Sequence, residues 1–75
     1  MEILGPRYQY DDAIAHLRRV VEINPRNADA YHNLAVTCGL QGRINDAIAA
    51  AQTAVRLTPE SAPAQEQLRR LLAAR

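Results

Sequence analysis

Few side chains in this sequence have the chemistry for catalysis or metal binding, and their spacing works against both. The histidines are His16 and His32, the single thiol is Cys38, and the adjacent carboxylates are Asp11 and Asp12. A zinc site on a helix needs two ligands one turn apart, or a cluster of histidine, cysteine and carboxylate. No His-x-x-x-His spacing and no cluster of histidine, cysteine and carboxylate occurs. A lone cysteine closes no intramolecular disulfide and builds no multi-cysteine metal site. Cys38 falls one turn after Leu34 and Ala35, which predicts a buried, inert thiol, since a reactive one needs an electropositive, exposed setting. His16 lies beside an apolar stripe and reads as a partly exposed filler. His32, next to Tyr31 and off the Leu34 stripe, is expected to face a groove. Asp11 with Asp12 reads as a helix-start charge pair, favoured by the positive end of the helix dipole, and not as an acid–base dyad. Gly39 and Gly42 make no phosphate-cradling loop, and no serine, histidine and acid form a triad. No catalytic residue, metal ligand or cofactor is expected.

Composition narrows the class further. A chain of 75 residues is at most one domain, and one this short buries only about 60% of its unfolded surface. Its apolar content of 48% is ample for folding and argues against disorder. No apolar run approaches the roughly 20 residues of a membrane span, and no basic-then-apolar signal opens the chain. A soluble, cytoplasmic protein without membrane insertion is expected. The net charge of +1 supplies no broad field for nucleic acid or anionic lipid. Arg18, Arg43, Arg56 and Arg70 are scattered among acids instead of lining one side, so nucleic acid is not an expected partner.

The elements that must position any site are helical. Residues 1–9 contain Gly5-Pro6 and read as a lead-in, with Ile3, Leu4 and Tyr8 available to pack back on the body. A helix is expected from Tyr10 to about Ile23, with Ala13, Ile14, Leu17, Val20 and Val21 on its apolar stripe and Asp11 and Asp12 in its first turn. Asn24-Pro25-Arg26-Asn27 stops it, and Asn27 is placed to cap the next helix. That helix runs from about Ala28 to Gln41, with Tyr31, Leu34, Ala35 and Cys38 on one face. Gln41-Gly42-Arg43 leaves room only for a tight turn, so the following helix, from about Ile44 to Leu57, must return antiparallel. Ala47, Ile48, Ala51, Ala54 and Val55 mark its apolar face. Thr58-Pro59-Glu60-Ser61 repeats the stop signal. A fourth helix, capped by Ser61 with Pro63 in its first turn, is expected to reach about Ala74, with Leu68, Leu71 and Leu72 as its apolar edge.

Sliding the sequence by 34 residues aligns it with itself. Asp12-Ala13-Ile14-Ala15 falls on Asp46-Ala47-Ile48-Ala49, Ile23 on Leu57, Pro25 on Pro59 and Leu34 on Leu68. A period of this length, built of paired helices, marks a stacked helical solenoid. The chain resembles the tetratricopeptide repeat family at these residues. Tyr31, Leu34 and Ala35 match the large, leucine and small positions of that family's first helix, and Gly42 matches its turn glycine. Ala47, Ala54 and Pro59 match the two small positions of its second helix and the closing proline. The resemblance implies an all-α fold of antiparallel helix-turn-helix repeats, about four helices stacked as a short right-handed superhelical solenoid. Residues 10–27 then form a half repeat, 28–61 a complete repeat, and 62–75 a C-terminal capping helix. Arg69 stands where the family keeps a small residue and Gln65 where it keeps a large one, and the arginine would hold a following helix away.

The resemblance also implies a non-catalytic module that binds a peptide or helix of a partner protein on its concave surface, which the first helix of each pair lines. The candidate peptide-binding residues are Asp29, His32, Asn33, Val36 and Leu40, joined by Gln67 and Arg70 (with Glu66) on the last helix. Asn33 is the leading one, because an amide both donates to and accepts from a peptide backbone. Family members that clamp a terminal carboxylate use basic residues and asparagine together. Here only Asn33 matches, with His32 and Val36 at two of the other positions. Val36 and Leu40 point instead to a partly apolar ligand. The alternative is structural: with no partner before the helix from Tyr10, the stripe at Ala13, Leu17 and Val20 implies either a homo-oligomer formed through that helix or the end of a longer array.

Overall fold

The computed structural model describes residues 6–75, with side chains from residue 9 onward. It contains four helices in chain order: α1 (Pro6–Ile23), α2 (Ala28–Leu40), α3 (Ile44–Leu57) and α4 (Ala62–Ala74). No strand occurs among the described residues. Packing of Ile3, Leu4 and Tyr8, expected from the sequence, lies outside what is described.

Helix α1 begins four residues before the expected Tyr10. Pro6 is its first helical residue, a position where the missing N–H costs nothing and the fixed φ already suits the helix. What reads as punctuation in the sequence is therefore a helix start. This moves Asp11 and Asp12 out of the first turn, which holds no acid, and their expected role at the helix dipole is corrected. Asp11 instead accepts a hydrogen bond from Gln41 Nε2 at 2.6 Å and lies 3.7 Å from the Arg43 guanidinium. It ties α1 to the turn between α2 and α3.

The connections repeat as the sequence does. Asn27 Oδ1 accepts from the Ala30 N–H at 3.1 Å, and 34 residues on, Ser61 Oγ accepts from the Ala64 N–H at 3.3 Å. Each satisfies one of the N–H groups left free at a helix start. The turns before them match: the Asn27 N–H donates to Asn24 O, and the Ser61 N–H donates to Thr58 O. Between α2 and α3 the Arg43 N–H donates to Cys38 O at 2.8 Å and the Gly42 N–H to Gly39 O at 3.1 Å. This paired arrangement closes a helix around a residue of positive φ, and Gly42 has φ +83°. A side chain there would carry a backbone penalty.

Each helix packs on the next, α1 on α2, α2 on α3 and α3 on α4. The core is built largely of small residues: Ala30, Ala35, Ala47, Ala51, Ala54 and Ala64 are buried, with Ile14, Leu34, Cys38 and Ile48 filling the seams. Alanines let helix backbones approach closely, and the few larger side chains occupy the space that remains. Leu17 and Val21 of α1, Tyr31 of α2 and Leu71 of α4 pack against this core. Leu17, expected on an open stripe, thus turns partly inward. The molecule measures 46 × 30 × 16 Å. The short axis accommodates only two helix layers at the usual spacing, so every helix keeps an outer face.

Candidate functional site

Five of the seven candidate residues surround one groove. Its volume is about 570 Å³, and it runs between α2 and α4. His32, Val36 and Leu40 come from α2, and Gln67 and Arg70 from α4. They converge because residues three and four apart share a helix face. Between them the floor is apolar: Ala35 and Gly39 of α2, Leu71 and Ala74 of α4, and Ile44 at one end. Val36 is 42% exposed and Leu40 64%, so large apolar side chains stand open to solvent at the groove rather than inside the core.

The groove's polar groups are mostly engaged within the protein. Gln67 Nε2 donates to the His32 carbonyl at 3.1 Å, fastening α4 to α2. Gln67 Oε1 is buried and has no hydrogen-bond partner. Glu66 binds Arg69, and Arg70 Nε donates to its other oxygen at 3.2 Å. The hydrogen bond and charge of Arg69, followed by those of Arg70, hold the Glu66 carboxyl below its ordinary range. The arginines beside the groove thus share one carboxylate and form no open cluster for an anion.

The other two candidates lie elsewhere. Asp29 lines a second hollow of about 350 Å³, beside Thr58, Glu60 and Ser61, where His32 is also exposed to view. His32 is the wall shared by both hollows. Asn33 borders neither; it is exposed, and its carbonyl accepts from Thr37 Oγ1 at 2.8 Å. The 100° step from His32 to Asn33 carries the amide away from α4. Sequence reasoning passes over Ala35 and Leu71 as groove residues because it assigns them to the apolar faces of their helices, and it gives Gly39 and Ile44 no place at the groove. The available signal was Ala35 and Gly39, two small residues one turn apart on the face of α2 that meets α4. A Cβ built on Gly39 would lie 3.5 Å from Leu71 Cδ2, an ordinary contact, so closeness there does not require glycine.

Cys38 is buried and takes no part in the groove. Burial, with the nearby Asp46 carboxylate as the second cause, pushes its thiol pKa up, the opposite of what a nucleophile or metal ligand needs. Among the described residues no three histidine, cysteine or acidic side chains gather to hold a metal ion. No described helix is long and apolar enough to cross a membrane.

Paired antiparallel helices, a 34-residue period and a groove between the first helices of successive pairs define a helical-repeat module. The family model of the tetratricopeptide repeat matches residues 7–74, and the chain belongs to the tetratricopeptide repeat family. Repeats of this family typically mediate protein–protein interaction and are generally not catalytic. Comparison with curated proteins returns no match.

Proposed function

We propose that the chain binds an apolar segment of a partner protein in the groove between α2 and α4. The observation that carries this reading is the placement of Val36 and Leu40, both open to solvent, across from Leu71 over a floor of Ala35 and Gly39. Exposed apolar side chains gathered around a concavity gain free energy when a ligand removes them from water. The small floor residues let a ligand's side chains or backbone come close. An amphipathic helix and an extended segment both present apolar side chains at regular intervals, and both suit such a surface.

Charge at the rim selects against a terminal carboxylate as the main anchor. Arg69 and Arg70 already share Glu66, and Asn33 stands off the groove. Affinity then comes from apolar anchors, with Arg70 and His32 acting at the edge, where charges tune rate and specificity more than strength.

The test is a peptide library selected on the wild-type chain, followed by affinity measurement of the selected sequences. Leucine, isoleucine or aromatic anchors are expected. Val36→Asp and Leu40→Asp each should weaken the selected peptides by more than about tenfold, a loss of about 1.4 kcal/mol, while helicity stays at the wild-type level. Peptides that bind Leu40→Asp as tightly as wild type would overturn the assignment.

A further inference from the structure

The groove between α2 and α4 does not end at His32. That residue and Pro63 also line the second hollow, where Asp29 and Glu60 stand, so the two concavities adjoin. Asp29, His32, Val36 and Leu40 follow one another at intervals of three and four residues and share one stripe of α2. The stripe is apolar at its Leu40 end and acidic at its Asp29 end.

The polar groups beside it divide by whether the protein already engages them. The amide and guanidinium donors at the groove are engaged: Gln67 Nε2 with the His32 carbonyl, and Arg69 and Arg70 with Glu66. The groups left unmet are acceptors. Gln67 Oε1 is buried in the groove wall without a partner. Asp29 and Glu60 are exposed, and among the described residues no arginine pairs with either. Apart from His32, no basic side chain lines their hollow among the described residues.

Resting on the proposed role of the groove, we infer that the bound partner segment carries a lysine or arginine beyond its apolar anchors, seated in the hollow of Asp29 and Glu60. Two carboxylates at one hollow repel each other and attract a cation. Arg70, the counterpart of Val36 one repeat along, opposes a cation at the apolar end. The charge order therefore fixes the direction of the segment, with its basic residue over Asp29 and its apolar residues over Val36 and Leu40.

The spacing follows from the helix. Val36 lies seven residues after Asp29, about 10 Å along the axis at roughly 1.5 Å per residue. An extended segment covers about 10 Å in about three residues, and a helical one in about seven. An exposed charge pair is weak and is screened by salt, so the basic residue selects among apolar segments more than it holds them.

Selecting a peptide library on the wild-type chain and on the Asp29→Asn/Glu60→Gln double variant tests this, with circular dichroism to check the fold. On wild type, lysine or arginine should recur at a fixed place, about three or about seven residues from the apolar anchor. On the variant the anchors should persist and the basic residue should fall to its frequency in the unselected library. Replacing that residue by glutamine in the best peptide should weaken binding to wild type by about fivefold at low salt and leave binding to the variant unchanged. Apolar anchors selected on wild type without a positioned basic residue overturn this inference and leave the groove reading standing. So does an equal loss on both chains, which would place the cation elsewhere. Sequences selected without apolar anchors overturn the groove reading itself, and this inference with it.

Discussion

Cys38 shows how burial turns a chemically capable side chain into a packing residue. It sits among Ile14, Leu34 and Ala47, and desolvation of the thiolate raises its pKa, with Asp46 adding to the effect. The consequence for stability has a definite sign. The folded pKa lies above the unfolded one, so the unfolded chain sheds its proton first. The contribution is complete below the ordinary thiol value of 9.0 and is lost as pH rises through the native value. Urea denaturation at stepwise alkaline pH should show midpoints falling across that window, and Cys38→Ala should lessen the slope. A thiol reagent should modify native Cys38 far more slowly than the denatured chain; equal rates would mean the site is open. The inert thiol was legible in the sequence because Cys38 follows Leu34 and Ala35 by one turn. The fate of Asp11 was not: its partners, Gln41 and Arg43, are distant in sequence and meet it only when α1 packs on α2.

At the scale of elements, local chemistry sets most boundaries. Asn27 and Ser61 cap their helices, and the proline that follows each stop position recurs with the same hydrogen-bonded turn. Gly42 is the element on which the antiparallel pair depends. A Cβ there meets nothing within 4 Å, so a substitution costs only backbone strain. Gly42→Ala should destabilise the chain by about 1–2 kcal/mol without altering the groove, seen as a lower denaturation midpoint with an unchanged m value. No loss of stability would show that the turn relaxes to negative φ. The start of α1 was less legible. Gly-Pro reads as a break from one side and as a helix N-terminus from the other, and only the backbone conformation distinguishes them.

Over the whole molecule, stability follows position in the stack. Helices α2 and α3 lie inside the stack, whereas α1 and α4 are its end helices among the described residues, α4 packing on α3 and touching α2 through Gln67 and Leu71. In a repeat protein stability is close to a sum of repeat and interface terms, so end elements open first. Amide hydrogen exchange should be slowest in the middle of α2 and α3 and faster in α1 and α4. If α1 proved as protected as α3, another surface would have to be covering it.

The sequence alone determined the four helices, their caps, the tight turn and the family, because these rest on local rules: apolar spacing, proline and glycine placement, and an internal period. It also indicated which face of α2 looks outward, since Val36 and Leu40 fall off the buried stripe. Tertiary packing decided which of those outward residues share a concavity. The groove exists only because α4 returns beside α2, an arrangement that brings Leu71 and Gln67 to His32, Val36 and Leu40 and leaves Asn33 outside. Helical phase places a side chain on a face, but the position of the neighbouring helix decides whether that face is a wall, a floor or open surface.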